Sequence, residues 1–329
     1  MDYRKLMALF KHTPAAPVEP LPDTDLVVSL PVPPETKDGV RDFWQHWDYL
    51  LGMVPELAEF GVPVLDAVGL TLNESILAEQ DINEQCRVGD VVVGKGTRVV
   101  PRMVGLLTGM GIRKVMARPN PRVLVIALSE LAVPASYLVA AQAKDVGAAV
   151  HRVERTDASP AQVVHAIMEQ LVRSDLIITV GGLGEVGFDL RSVADQIGPH
   201  DFTPVAISPG GDHGFALAEQ KVPLLALPSD VYATFVLDKL IAEPMIAKLM
   251  GASTDPTMSS AYLAQPLRVR PGMLTCVPAT VKDARMAVTG RPFGISGLEM
   301  IYRANALAML TSDDSLVRAD VEAFYLPLA

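Results

Sequence analysis

The residues best suited to chemistry are a run of glycines, Gly181, Gly182, Gly184 and Gly187, directly behind the strongly apolar segment 176–180. Glycine has no Cβ and tolerates positive φ, so the backbone of such a run can approach a phosphate closely. Three other short loops also follow apolar, strand-like runs: Ser129, Glu130 and Leu131 after 123–128, Ser208 to His213 after 205–207, and Pro228, Ser229, Asp230 and Val231 after 224–227. In an open parallel sheet, the loops at the carboxyl ends of strands meet in one crevice, where helix N-termini offer free N–H groups to anions. The expected chemistry is recognition of an anionic, phosphate-bearing ligand. Its contacts would be Ser129, Glu130, Gly181, Gly182, Gly184, Glu185, Asp189, Ser208, Gly210, Gly211, Asp212, Pro228, Ser229 and Asp230. Glu185 and Asp212 would set negative charge beside such a ligand, an unfavourable contact unless a divalent cation intervenes. Glu185, Asp189, Asp212 and Asp230 could together hold Mg2+, but carboxylates at loop ends are common, and no metal ligand is assigned. His200 and His213 read as solvated imidazoles on loops.

Other nucleotide-binding signatures fail. Gly94-Lys95-Gly96-Thr97 lacks the four-residue spacer of a P-loop, and no GxGxxG follows Val180. Cys86 and Cys276 lie far apart and form no ligand spacing, so they read as reduced thiols rather than a disulfide or zinc site. A formal charge of −10 with no local Lys/Arg cluster argues against nucleic acid as a partner. No uncharged apolar stretch approaches the roughly 18 residues of a membrane span, so no membrane insertion and a cytoplasmic location are expected.

The elements that must position these loops follow from hydrophobic periodicity. Residues 1–38 carry seven prolines from Pro14 to Pro34, which remove too many N–H donors for regular structure and predict an extended tail. In 39–120 a helix with one buried face is predicted over 40–59, limited by Pro55, then a strand and helix over 62–78, a β-type run over 88–98 and a helix from Pro101. In 121–253, apolar strands at 123–128, 148–153, 176–180, 205–207 and 224–227 alternate with helices around 136–146, from Ser159-Pro160, over 190–197 and over 232–250. That alternation predicts an α/β fold, a mostly parallel sheet covered on both faces. In 254–329, short β-type runs at 265–269, 274–277, 286–288, 308–310 and 321–326 predict a small β-barrel or sandwich.

The residues also resemble a known family. The run 175–189, DLIITVGGLGEVGFD, is similar to DVVITSGGVSVGDYD of the molybdopterin molybdenumtransferases, MoeA and the matching part of gephyrin. Residues 205–211, VAISPGG, resemble that family's VAMKPGK, and 224–233, LLALPSDVYA, its VFGLPGNPVS. Residues 99–115 resemble the lead into its central domain, and 291–310 its C-terminal SGDLSSLARANGL stretch, all in the same order. The resemblance implies a central three-layer α/β/α domain of the MogA/MoaB kind and a homodimer held partly through 39–120. It also implies a crevice that takes molybdopterin or its adenylated form with Mg2+ and receives molybdate. It makes Asp189, which matches the last aspartate of the glycine loop, the candidate catalytic residue, beside its structural alternative as an N-cap of the following helix.

The chain departs from the family pattern at the crevice. The STGDEL loop is shortened to Leu128-Ser129-Glu130-Leu131, and the two lysines of KPGK become Ser208 and Gly211. In LPGNP the glycine, asparagine and second proline become Ser229, Asp230 and Val231, and the lid-like domain with a DNSAMDGYA-type loop has no counterpart between residues 79 and 88. These changes predict a degenerate site with little or no catalysis. The alternative is a non-catalytic dimeric scaffold that binds a protein partner, a use of the fold that gephyrin exemplifies.

Overall fold

The computed structural model describes residues 29–79, 86–185, 188–219, 221–289 and 297–328. The first 28 residues of the Pro-rich tail, Gly187, and 291–296 of the C-terminal resemblance lie outside the described residues.

Helix α1, Phe43–Gly52, starts where the Asp42 carboxylate accepts from the Trp44 and Gln45 N–H groups, both at 3.0 Å, satisfying donors that every helix start leaves open. Phe43, Trp47, Leu50 and Leu51 form its buried stripe, and it stops at Gly52, short of Pro55. Next come β1 (Phe60–Pro63), β2 (Thr71–Leu72), β3 (Ile76–Leu77), β4 (Val91–Val93), α2 (Pro101–Gly109) and β5 (Lys114–Arg118). These form a β1-β5-β2 sheet and a β3–β4 hairpin. The helix predicted within 62–78 is absent; turns and short strands occupy that stretch.

The central sheet holds β6 (Arg122–Ala127), β7 (Ala149–Glu154), β8 (Leu176–Val180), β9 (His200–Asp201), β10 (Gly214–Ala218) and β11 (Val222–Leu227), in the order β9-β10-β11-β8-β6-β7. The four strands from β11 to β7 are parallel, with Ile178 beside Val125 and Leu225. Strand residues alternate between faces. Val125, Ile178 and Leu225 pack with α3 (Val133–Asp145), α5 (Val231–Leu237), α6 (Glu243–Leu249) and α1, while Leu124, Ile126, Ile177 and Leu224 pack with α4 (Pro160–Gln170). The result is a three-layer α/β/α fold.

One strand is not where the sequence puts it. The 205–207 run does not join the central sheet: Ile207–Ser208 pairs in parallel with Leu274 and Thr275, and Val205 bridges Arg41. The place beside β11 is taken by β10, a hairpin partner formed from Gly214–Ala218. A hairpin neighbour closes through a short link and loses less chain entropy than a strand arriving from further off.

Behind the central sheet, β12 (Ser259–Leu263), β13 (Leu274–Lys282), β14 (Arg285–Val288), β15 (Ala306–Leu310) and β16 (Glu322–Pro327) pair in the order β13-β14-β12-β16-β15. A further β13–β15 pairing closes them into a five-stranded barrel. Ala261, Ala279, Ala306, Ala308 and Ala323 fill much of its core, as a narrow barrel with little room for side chains requires. The predicted 265–269 strand lies outside this ring, where Leu267–Arg268 pairs with Leu316–Val317.

Candidate functional site

Backbone hydrogen bonds stitch together the carboxyl ends of β6, β8 and β11: Leu128 N donates to the Val180 carbonyl and Gly181 N to that of Leu227, each at 2.9 Å. Gly181, at φ 85°, turns the chain beneath the first loop, and a Cβ there would lie 2.8 Å from the Ala132 Cβ and 2.9 Å from the Ser129 Oγ. The glycine loop and Ser129 are therefore in direct contact. The Ser129 hydroxyl is buried and has no hydrogen-bond partner among the described residues. Gly182, at φ 71°, donates its N–H to Glu185 Oε1 at 3.3 Å, so Glu185 folds back onto its own loop.

Asp189 caps the helical turn Leu190–Val193 by accepting from Arg191 N at 3.0 Å. Arg191 then reaches across: its Nη2 donates to both carboxylate oxygens of Asp212, at 3.0 and 3.1 Å, and its Nε lies 3.6 Å from Asp189. This ion pair joins the glycine loop to the Ser208–His213 loop, although the latter arrives from the barrel rather than from a central strand. Arg191 is not among the residues to which the sequence points. Its signal is a cation two residues beyond a capping aspartate, where the first turn of a helix faces the same crevice.

In the fourth loop, Asp230 Oδ1 accepts from Ala233 N at 2.7 Å and caps α5, while the Pro228 carbonyl accepts from Thr234 Oγ1 at 2.7 Å. Among the described residues, no side-chain hydrogen bond or ion pair joins Glu130 or Ser229 to the other loops. Gly210, at φ 102°, stands against Leu237 of α5, 2.8 Å from a hypothetical Cβ. Gly211 is tighter still: a Cβ there would meet the Val205 carbonyl oxygen at 2.6 Å and that of Ile207 at 3.1 Å.

His213 is not solvated. It is 1 % exposed, its Nδ1 lies 2.8 Å from the Gly210 carbonyl oxygen, and its Nε2 lies 3.0 Å from Nε2 of His46 on α1. His46 Nδ1 in turn lies 3.1 Å from Arg41 Nη1, which also donates to Asp201 at 2.8 Å. Burial, then the neighbouring His213 and Arg41, hold His46 down to about 2, and burial also lowers His213. Burial pushes the Asp201 carboxyl up, but hydrogen bonds from Thr203 and Arg41 more than reverse this and leave it below its ordinary value. His200 is half-buried, with Nδ1 3.1 Å from the Gly198 carbonyl oxygen. A cavity of about 560 Å3 opens beside this chain of side chains, lined by Leu30, Pro33, Arg41, Tyr49, His200 and Asp201 among others, and none of the four strand-end loops contributes to it.

No protein-family model matches the chain. Among solved structures, a molybdenum cofactor biosynthesis protein from Pyrococcus furiosus superposes with a TM-score of 0.70 at 21 % identity, covering 88 % of this chain and 100 % of that one. The molybdopterin biosynthesis MoeA protein of Pyrococcus horikoshii gives 0.73 at 14 %, again covering 88 % and 100 %. The fold is therefore that of the MoeA proteins. Among curated relatives, the molybdopterin molybdenumtransferase of Staphylococcus epidermidis is 30 % identical over 249 residues, 69 % of this chain and 58 % of that protein. Molybdopterin molybdenumtransferase 1 of Mycobacterium tuberculosis is 30 % identical over 178 residues, 50 % of this chain and 42 % of its own length. The chain belongs to the molybdopterin molybdenumtransferase (MoeA) family, and it spans about half the length of the curated relatives it matches. Among the described residues, no helix is long and apolar enough to cross a membrane.

Proposed function

We propose that this chain holds molybdopterin, or its adenylated form, in the strand-end crevice and inserts molybdate weakly or not at all. The supporting observation is the charge of that crevice. Its four loops carry Glu130, Glu185, Asp189, Asp212 and Asp230 but no lysine or arginine, and Arg191 beside them is already held between Asp189 and Asp212; Arg155, which follows β7 and donates to the Glu154 carbonyl, stands outside these loops. A phosphate-bearing ligand can still use the glycine backbone, but it requires a divalent cation to bridge it to the carboxylates. Molybdate, a second anion, would then enter between loops that supply no positive charge of their own. Titration calorimetry with molybdopterin, with and without Mg2+, tests this together with a molybdate-insertion assay. Binding that needs Mg2+ and no insertion is the expected result; efficient insertion sinks the reading, as does an absence of binding under both conditions.

A second reading, a non-catalytic homodimeric scaffold for a protein partner, draws on the exposed apolar side chains of the N-terminal strands and the turn between them. Leu65 is 73 % and Val91 60 % exposed, with Phe60, Val68 and Leu77 also exposed. Sedimentation of the wild type against Leu65→Asp and Val91→Asp decides it. A dimer unaffected by either change removes these residues from the interface.

A further inference from the structure

The buried chain from Arg41 to Gly210 has its hydrogen bonds fixed in direction by its two ends. An arginine guanidinium only donates, and a backbone carbonyl only accepts. Arg41 Nη1 must therefore donate to His46 Nδ1, which leaves the His46 proton on Nε2; that proton goes to His213 Nε2, and the His213 proton sits on Nδ1 and goes to the Gly210 carbonyl oxygen. Any other pair of tautomers sets two protons or two lone pairs against each other at one or more of these contacts, 2.8 to 3.1 Å long, inside a site where both residues are at most 2 % exposed. Gly210 and Gly211 form the part of the Ser208–His213 loop that bends away from the barrel, and Val205 N donates back to the Gly211 carbonyl at 2.9 Å. The loop's acidic tip, Asp212, is what Arg191 holds.

We propose that His213 and His46 are positioning residues for this loop: through one directed relay they fix the Gly210 carbonyl to helix α1 and to the Arg41–Asp201 pair, and so set where Gly210, Gly211 and Asp212 stand in the crevice. The consequence for ligand affinity rests on the crevice being the molybdopterin site; the positioning itself does not. The relay ends at the 560 Å3 cavity, whose lining includes both Arg41 and Asp201, so the crevice loop and that cavity are joined by side chains that cannot reorient singly.

Two neutral substitutions separate positioning from simple packing. The amide nitrogen of His213→Asn stands near the place of Nδ1 and keeps the bond to Gly210 while cutting the relay to His46. The side chain of His213→Gln reaches the place of Nε2, keeping the bond from His46 and losing the one to Gly210. Three measurements apply: nitrogen-15 NMR of histidine-labelled wild type, hydrogen exchange at the Val205 amide, and titration with molybdopterin plus Mg2+. The wild type is expected to show His46 as the Nε2–H and His213 as the Nδ1–H tautomer. His213→Asn should keep Val205 protection and ligand affinity within about twofold of wild type, and His213→Gln should lose about tenfold in both, the value of one buried hydrogen bond, at comparable melting temperatures. Other tautomers, or equal exchange at Val205 in the two variants, overturn the proposal, and the wild-type tautomers decide it even if a variant fails to fold. A wild type that binds no molybdopterin while the exchange difference persists sinks the crevice reading and leaves the positioning intact.

Discussion

At the scale of the residue, the buried histidines make the fold sensitive to mild acid. Both stay neutral in the fold below their ordinary value of 6.5, enclosed by Arg41 and Asp201 on one side and by Asp212 and the Gly210 carbonyl on the other. The unfolded chain therefore takes up protons first as pH falls. Their contribution to stability is complete above about pH 6.5 and is lost progressively beneath it, at up to about 1.4 kcal/mol per pH unit for His46, or about 2 kcal/mol by pH 5, with His213 adding in the same direction. Urea unfolding at pH 7.5 and 5.0 measures this. The expected loss should shrink by up to about 2 kcal/mol in His46→Gln, and an unchanged loss in that variant would place the acid sensitivity elsewhere. The same scale limits how the crevice could regain charge. Ser208 already carries a Cβ, so a lysine there adds no atom at that position, whereas at Gly211 the new Cβ would sit 2.6 Å from the Val205 carbonyl oxygen. Ser208→Lys is expected to fold and to tighten phosphate-ligand binding severalfold, and Gly211→Lys to lose about 1–3 kcal/mol of stability through displaced backbone. Comparable melting temperatures for the two would show that the loop yields. The loss of charge at Gly211 is thus built into the path of the chain, a fact that no sequence comparison of that position contains.

At the scale of the element, period and capping were legible and edge pairing was not. Ser159 followed by Pro160 announced α4, and the structure gives it a capping box with Gln162. The helix predicted over 232–250 appears as α5, a π turn at Asp238–Ala242, and α6; the apolar pattern fixed its length but could not show one widened turn. Pro244 there has no N–H to give the carbonyl of Leu240 four residues earlier. Trp47 Nε1 of α1 donates to that carbonyl at 2.7 Å, so α1 docks where the proline leaves an acceptor open. Trp47→Phe keeps the aromatic bulk and removes the donor. It should cost about 1–2 kcal/mol in chemical denaturation, and a cost indistinguishable from zero would mean that this carbonyl is satisfied within its own helix. The sequence marks the β10 strand only weakly, because Gly214-Phe215-Ala216-Leu217-Ala218 is short, lacks β-branched residues and has no strong turn pair after it. Once β10 claims the sheet, the 205–207 run has no place there. Of the crevice, the glycine turn and the caps at Asp189 and Asp230 were readable because they are local. Arg191 to Asp212 and His46 to His213 were not, since each joins residues 21 and 167 positions apart.

At the scale of the whole molecule, a formal charge of −10 and a crevice rich in carboxylates predict an unusual response to salt. A lysine-lined phosphate site weakens as salt rises, because ions screen its attraction. Here the long-range term opposes an anionic ligand, and the favourable contacts are short-range ones to glycine backbone and a bridging cation. Screening shortens from about 14 Å at 0.05 M to about 4 Å at 0.5 M salt, so it removes repulsion while leaving those contacts largely in place. At saturating Mg2+, molybdopterin affinity is therefore expected to hold or rise between 0.05 and 0.5 M NaCl, and Ser208→Lys should tilt the trend back toward weakening. A wild-type affinity that falls steeply with salt would mean that unpaired cations outside the four loops dominate the site. In that event the acidic loops would face away from the ligand, and the argument from lost lysines to lost insertion would no longer hold.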